Sequence, residues 1–200
     1  MLILYTWGTT NGRKPIMALE ELQLAYELRP VDITQKAQRS PAFLKMNPLG
    51  KIPVLEDPDV GLLTESNAIL FHLATKTGRL LGVGTTYLRV VEWLFWQASN
   101  CGPALSNCWR LKQAGAEAPA GELARWREET ERCLTVLEGA LAASKYLTDA
   151  FSVADIAMLP HVRREIGDAG NADKWPAIRA WLERCEARPS VARGLTVDIG

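Results

Sequence analysis

Residues 47–74 read NPLGKIPVLEDPDVGLLTESNAILFHLA, and this stretch decides the fold of the first half of the chain. Residues 52–56 and 60–63 are short runs rich in apolar side chains, and the DPD between them is typical of a hairpin turn. Apolar side chains then recur with helical spacing over residues 64–74. The pattern therefore predicts two antiparallel strands that lead directly into a helix.

The residues before this stretch indicate a strand, a helix and a second strand. Residues 2–5 form an apolar run that stops at Gly8, and the next apolar side chains follow helical spacing as far as residue 26. Residues 28–33 predict another strand, and Pro30 removes a ladder donor from it, which places this strand at a sheet edge. A strand–helix–strand segment of about thirty residues predicts parallel strands, so the first half should be βαβ followed by ββα.

The second half of the chain reads differently. Residues 77–86 are glycine-rich and have no period, which predicts a linker between a first domain at residues 1–76 and an all-helical domain at residues 87–200. Ser152 and Asp155 have the spacing of a capping box, with Asp in place of Glu, so we assign this motif a structural role. Helices are predicted at residues 87–112, 120–143, 153–166 and 177–187.

Composition excludes several classes of function. The chain has 23 basic and 23 acidic residues, so it carries no overall field that would gather nucleic acid or an anionic membrane. Its apolar N-terminal run is too short for a signal peptide and has no basic segment, and no apolar run approaches the roughly 20 residues of a membrane span. We expect a cytoplasmic protein that acts on a small molecule, with neither nucleic acid nor membrane as a partner.

The four cysteines, at positions 101, 108, 133 and 185, form no C-x-x-C pair and have no histidines at zinc spacing. They lie on or beside the apolar stripes of predicted helices. We expect buried free thiols in a reducing compartment and no metal site.

The turn after the first strand, in LYTWGTTNGRK (residues 4–14), carries Thr9 and Asn11, followed by Arg13 and Lys14. A helix N-terminus is partly positive and prefers acids to cations. Hydroxyl and amide donors gathered at such an end favour the binding of an anion.

Three motifs identify the family that the chain resembles. NPLGKIPVLED, LTESNAILFHLA and FSVADIAMLP occur in this order, and with the βαβ–ββα pattern they resemble the cytosolic glutathione transferases over the whole chain. The resemblance implies an α/β plus all-α fold, with a thioredoxin-like glutathione-binding domain followed by an all-helical C-terminal domain. Within the superfamily, T-x-N-G at residues 9–12 is similar to the nu class, whose members often reduce disulfides. WQASNCGP is similar to W-Q-x-G-x-x-G-P of that group and departs from it at Ser99 and Asn100.

By resemblance, Asn11 and Thr9 are the catalytic residues and bind the sulfur of glutathione. A cysteine-type thiol with a pKa of about 8.5 is only a few per cent ionised at neutral pH, and lowering that pKa by two units requires about 2.7 kcal/mol. One or two donors and the helix dipole supply that much. Two alternatives remain from the residues alone: Asn11 caps the helix, and Tyr5 acts as the sulfur ligand.

The family pattern also implies contacts to the rest of glutathione. A cis proline at Pro53 would let the backbone of Ile52 pair with the cysteinyl unit like an added strand. Glu65 would bind the ammonium of the γ-glutamyl unit, and Ser66 with the free amides of its helix would bind the carboxylate. The alternative for Glu65 and Ser66 is simple helix capping, which can coexist with binding.

Three further contacts are implied less directly. Gln38 occupies the family's position for a polar contact to the glycine end, and Lys51 would add charge there. Arg132 aligns with an arginine that reaches glutathione in the resembling group. The alternative for all three is a solvated surface side chain.

The resemblance implies glutathione as co-substrate, or oxidised glutathione as a bound partner, no metal, and a homodimer. The activity most consistent with it is glutathione-dependent disulfide reduction. Two alternatives remain open: conjugation of glutathione to a small hydrophobic electrophile, including ether or halide displacement, and a binding or regulatory protein without turnover. Fold alone does not choose between them.

Overall fold

The computed structural model describes residues 1–119, 121–169 and 172–199 of the chain. The chain divides into two compact units, one formed by Met1–Leu81 with Glu186–Gly200 and the other by Gly82–Cys185. The first unit contains all the described strands, whereas the described residues of the second are helical or irregular. This architecture confirms the predicted α/β plus all-α fold.

The first unit is built on a four-stranded sheet with the order β2-β1-β3-β4. β2 runs parallel to β1, and the other neighbours are antiparallel, which confirms the βαβ–ββα pattern and the edge position of β2. β2 begins two residues earlier than predicted because Leu2 pairs with Tyr26. The strands are β1 (Leu2–Thr6), β2 (Tyr26–Pro30), β3 (Val54–Asp57) and β4 (Gly61–Thr64).

Nine α-helices lie within the described residues, and short 3-10 turns occupy Ala37–Arg39, Gly115–Glu117 and Ala172–Lys174. The predicted start of the sixth helix, Ala120, lies outside the described residues. The helices are α1 (Thr10–Leu22), α2 (Pro41–Met46), α3 (Ser66–Thr77), α4 (Thr85–Trp96), α5 (Gly102–Ala114), α6 (Glu122–Ala143), α7 (Val153–Ala169), α8 (Pro176–Glu186) and α9 (Pro189–Thr196).

The long helix predicted at residues 87–112 is instead α4 and α5 joined by a π turn at Gln97–Cys101. A π turn brings residues five apart together, and here it brings Gln97 against Gly102. A Cβ on Gly102 would lie 2.7 Å from Gln97 Nε2 and 2.9 Å from Gln97 O. The glycine of the W-Q-x-x-x-x-G-P motif is therefore required by the packing of a buried glutamine.

The start of α7 confirms the predicted capping box. The Asp155 carboxylate accepts a hydrogen bond from the Ser152 N–H at 3.0 Å, and Ser152 Oγ accepts one from the Ala154 N–H at 3.2 Å. Asp155 also accepts from Trp181 Nε1 at 2.9 Å. Burial raises the pKa of the Asp155 carboxyl despite these donors. The motif thus joins α7 to α8, which is a structural role.

The last helix, α9, was not predicted, and it packs in the same unit as α1. Glu21 of α1 accepts hydrogen bonds from Arg188 and Ser190. Burial alone would raise the pKa of Glu21, but these two donors and the charge of Arg188 bring it below its ordinary value. The sequence pattern assigned the C-terminal residues from 186 onward to the all-helical domain, whereas the contacts of residues 186–199 place them in the sheet-containing unit, where α9 packs on α1.

The four cysteines are free and buried, as predicted. No helix among the described residues combines the length and the apolar character needed to cross a membrane.

Candidate functional site

The N-terminus of α1 is capped by Thr9. Its hydroxyl accepts a hydrogen bond from the Gly12 N–H at 3.0 Å, and its backbone is extended, as is usual for an N-cap. The alternative that Asn11 caps this helix is therefore wrong. Asn11 lies within the first turn and its side chain is exposed. The Thr9 hydroxyl still has a proton to donate, because capping uses only its acceptor capacity.

Gly12 is needed because the chain is very close to itself at this turn. A Cβ on Gly12 would lie 2.1 Å from Trp7 O and 2.6 Å from Thr6 Oγ1. Thr6 Oγ1, which is buried, donates to Gly12 O at 3.0 Å. The glycine of the T-x-N-G motif thus allows the first turn of α1 to close over the end of β1.

The two cations that follow point in different directions. Arg13 donates to Gly194 O at 3.1 Å and to Val197 O at 3.4 Å, so its charge lies at the C-terminal end of α9. Lys14 is completely buried. The Nζ of Lys14 lies 3.4 Å from Ser66 Oγ and 3.2 Å from Asn67 Oδ1. The lysine therefore reaches the start of α3.

The start of α3 differs from an ordinary helix cap. Glu65 has φ 69° and ψ 115°, and its side chain makes no capping hydrogen bond. A non-glycine residue held in this sparsely populated region costs about 1–3 kcal/mol, and such residues are enriched at functional sites. Ser66, the first helical residue, is buried and donates to Asn11 Oδ1 at 3.3 Å. The structure thus brings the predicted sulfur ligand and the predicted carboxylate ligand into contact.

The side chain of Asn47 ties together the loop before β3. Asn47 Nδ2 donates to Lys51 O at 2.7 Å, and Asn47 Oδ1 accepts from the Leu49 N–H at 3.1 Å. The Ile52–Pro53 peptide is cis, as the resemblance implied. Among the described residues, none hydrogen-bonds to the backbone N–H or C=O of Ile52. A strand-like partner for Ile52 can therefore come from a ligand.

Gln38 lies beside this loop, in the 3-10 turn. A Cβ on Gly50, which has φ +58°, would lie 2.9 Å from Gln38 O, so the two segments are in contact. Gln38 Oε1 is buried and has no hydrogen-bond partner among the described residues. Buried polar atoms are nearly always paired, so an orphaned acceptor calls for an explanation such as a missing ligand. The adjacent Lys51 is exposed.

Two other candidates have different surroundings. Arg132 lies on α6, in the other unit, where it is exposed and forms an ion pair with Glu129. The Tyr5 hydroxyl donates to Glu56 Oε2 at 3.0 Å and accepts from Arg29 at 2.9 Å. Burial and the neighbouring Glu56 raise the pKa of Tyr5, so its phenol is not positioned to supply an anion or a free donor.

The sequence did not lead us to predict that Lys14 is buried and contacts the start of α3. A signal was available, since Lys14 falls four residues before Ala18 and eight before Leu22, on the apolar stripe of α1. Within the described residues, no group of three or more His, Cys, Asp or Glu side chains could hold a metal ion.

Comparison with known proteins gives a consistent result. The family model of the glutathione S-transferase N-terminal domain matches residues 1–75, and that of the C-terminal domain matches residues 98–189. The chain is 36% identical to the disulfide-bond oxidoreductase YfcG of Escherichia coli over 98% of this chain and 94% of that protein.

Two solved structures are also similar over most of their length. One is a glutathione transferase family member from Pseudomonas fluorescens with two glutathione bound, which has a TM-score of 0.91 and 31% identity over 98% of this chain and 93% of that one. The other, a glutathione transferase from Pseudomonas putida with one glutathione disulfide bound per subunit, has a TM-score of 0.90 and 31% identity over 98% and 91%. The chain is therefore an enzyme of the glutathione S-transferase family.

Proposed function

We propose that this enzyme binds glutathione in the sheet-containing unit and uses its thiolate to reduce disulfides, in the manner of the nu class. The observation that carries this proposal is a thioredoxin-like unit with amide and hydroxyl donors at the start of α1 but no cysteine among residues 1–100 of the chain. The reacting sulfur must then come from a ligand. The similarity to a disulfide-bond oxidoreductase, and to a structure with glutathione disulfide bound, supports reduction as the reaction.

The unpaired groups of the site fit the parts of glutathione one by one. Asn11 presents an amide and Thr9 a hydroxyl proton at the N-terminus of α1, where donors and the helix dipole favour a thiolate. The backbone of Ile52, which has no hydrogen-bond partner among the described residues, suits the cysteinyl unit. Glu65 suits the γ-glutamyl ammonium, and the N-terminal end of α3 suits the carboxylate. The orphaned Gln38 Oε1 would accept a hydrogen bond from a donor near the glycine end.

The reaction balances with glutathione as the only reductant. The thiolate attacks one sulfur of the substrate disulfide, forms a mixed disulfide and releases one substrate thiolate. A second glutathione thiolate then attacks the glutathione sulfur of the mixed disulfide. Glutathione disulfide forms, and the second substrate thiolate leaves. The chain's own contribution is to hold the attacking sulfur ionised at neutral pH.

We also propose a homodimer in a reducing cytoplasm. Phe95 on α4 is 72% exposed, and Leu62 on β4 is 45% exposed, which is apolar surface that a partner subunit would cover. Free buried thiols suit a reducing compartment. Sedimentation velocity of the purified protein, with Phe95→Glu as the comparison, tests the dimer.

The activity is tested by comparing two substrates. The enzyme should turn over hydroxyethyl disulfide with glutathione faster than it conjugates glutathione to an aryl halide. Asn11→Ala should lower kcat/KM for the disulfide by about 10- to 150-fold, the kinetic equivalent of a charge-assisted hydrogen bond of about 1.5–3 kcal/mol.

The capping geometry makes this variant easy to interpret. Because Thr9 caps α1, Asn11→Ala leaves that cap intact and removes the acceptor of the Ser66 hydroxyl. Its thermal unfolding is therefore measured beside its rate, so that a loss of rate in the folded variant reports on chemistry. Full activity in Asn11→Ala would remove the sulfur-binding role. Faster aryl halide conjugation than disulfide reduction would favour the conjugating alternative.

A further inference from the structure

Lys14 is a buried cation between two helices. Lysine is rarely fully buried, and Lys14 is 0% exposed. Its ammonium contacts Ser66 Oγ and Asn67 Oδ1, which belong to the first turn of α3. That end of a helix is partly positive, so the dipole of α3 disfavours a cation there.

The chemistry of the groups fixes the direction of each hydrogen bond. An ammonium has three donors and no acceptor, so Ser66 Oγ must accept from Lys14. The single proton of the Ser66 hydroxyl is then free for Asn11 Oδ1, which lies 3.3 Å away. Asn11 consequently faces Ser66 with its carbonyl oxygen. Its amino group is left for another acceptor, and the side chain is exposed.

Apolar packing between α1 and α3 does not by itself require a lysine at this position. α1 and α3 pack against each other, and both helices carry fully buried apolar side chains, such as Ile16 and Leu19 on α1 and Ile69 on α3. Burying an ammonium has a large desolvation cost that a methionine of similar length would avoid. A cation held by hydroxyl and amide oxygens at a positive helix end is most useful where a negatively charged ligand is bound nearby.

We propose that Lys14 is a positioning residue, which acts through Ser66 to aim and polarise the Asn11 amide and so stabilises the thiolate of bound glutathione. This inference rests on the proposed function and deepens it by assigning the source of the anion's stabilisation. Each bond in the series Lys14–Ser66–Asn11 polarises the next, so the amide becomes a stronger donor. Removing the charge should raise the pKa of the bound thiol by about one unit.

The test is a pH titration of the ultraviolet absorbance of glutathione thiolate in complexes with the wild type, Lys14→Met and Arg13→Gln. Arg13→Gln is the matched control, because it removes one positive charge from the same turn of α1 but its guanidinium faces α9. The thiol in the Lys14→Met complex should titrate about one unit higher than in the other two. Its kcat/KM should fall by up to about tenfold below that pKa and recover at higher pH.

A structural defect would instead lower the rate equally at every pH. Three results overturn the inference while leaving the proposed function intact. One is a Lys14→Met complex that titrates like the wild type. Another is a higher KM for glutathione with an unchanged thiol pKa, which would assign Lys14 to the carboxylate.

The third result covers the case in which Lys14→Met does not fold. Ser66→Ala breaks the same series while Lys14 keeps Asn67 as an acceptor, so it should also raise the pKa of the thiol. An unchanged pKa in Ser66→Ala would refute the relay. If the wild type itself shows no thiolate signal and binds no glutathione, the proposed function fails, and the role of Lys14 fails with it.

Discussion

The close contact between α1 and α9 predicts that Gly194→Ala lowers the stability of the protein relative to a matched glycine-to-alanine variant. A Cβ at this position would lie 2.5 Å from Met17 Cγ, 2.9 Å from Met17 Cα and 3.0 Å from Met17 N. The first contact can be relieved by rotation of a flexible side chain. The other two involve backbone atoms, so they are relieved only if α9 moves away from α1, which carries Asn11.

Two opposing contributions determine how much Gly194→Ala changes the free energy of unfolding. Overpacking a well-packed contact costs about 1–3 kcal/mol, whereas replacing glycine by alanine inside a helix gains about 1 kcal/mol. Gly139→Ala in α6 is the matched control, because a Cβ there would have no neighbour within 4 Å and the variant keeps only the gain. The difference between the two variants removes the shared helix term and isolates the steric cost. Gly194→Ala should therefore be less stable than Gly139→Ala by about 1–3 kcal/mol.

Urea unfolding followed by tryptophan fluorescence measures this difference from the midpoints and slopes. Gly139→Ala should unfold at a higher urea concentration than the wild type, and Gly194→Ala at a lower concentration than Gly139→Ala. Equal free energies of unfolding for the two variants would refute the close approach of α9 to the Met17 backbone. A Gly139→Ala variant less stable than the wild type would show that alanine does not stabilise α6 at this position.

Three further predictions concern single side chains. Burial alone would raise the pKa of Asp57, but hydrogen bonds led by that from His72 lower it from 3.8 to about 2, so this stabilisation is complete above about pH 4 and is lost as pH falls toward 2. Asp57→Asn should accordingly be less stable than the wild type in urea at about pH 5 and lose less stability on acidification; an identical pH dependence would contradict the assignment. Thr9→Ala should lower the free energy of unfolding by about 1 kcal/mol through loss of the cap of α1, while Thr9→Ser retains it, as urea unfolding can measure. Gln38→Met should leave thermal stability unchanged or slightly higher but weaken glutathione binding in calorimetric titration, and unchanged affinity would exclude Gln38 from the site.

Local patterns were sufficient for most of the fold. Short apolar runs and the DPD turn predicted the four strands, and Pro30 predicted that β2 lies at the edge of the sheet. The spacing of Ser152 and Asp155 predicted the cap of α7. These features succeed because the hydrogen bonds concerned join residues close in sequence, or because proline changes its own backbone. The π turn was missed, since residues 97–102 have apolar spacing close to that of an ordinary helix.

Sequence motifs identified most residues of the candidate site, but they did not predict how these residues contact one another. The family resemblance pointed to Asn11, Ile52 and Ser66, and the cis Ile52–Pro53 peptide is as it implied. It left open which side chain caps α1, and the structure shows that Thr9 does. It did not indicate that Gln38 Oε1 is buried and has no hydrogen-bond partner in the part of the chain that the structure describes.

Sequence by itself determined the order of strands and helices, the free cysteines and the family. Tertiary structure alone decided that Lys14 reaches Ser66, that Ser66 reaches Asn11 and that Arg13 lies at the end of α9. These pairs are separated by 52, 55 and 181 residues. A periodic pattern shows which face of a helix is buried, but the partner on the other side is chosen by how the elements pack, and no local signal in the chain encodes that choice.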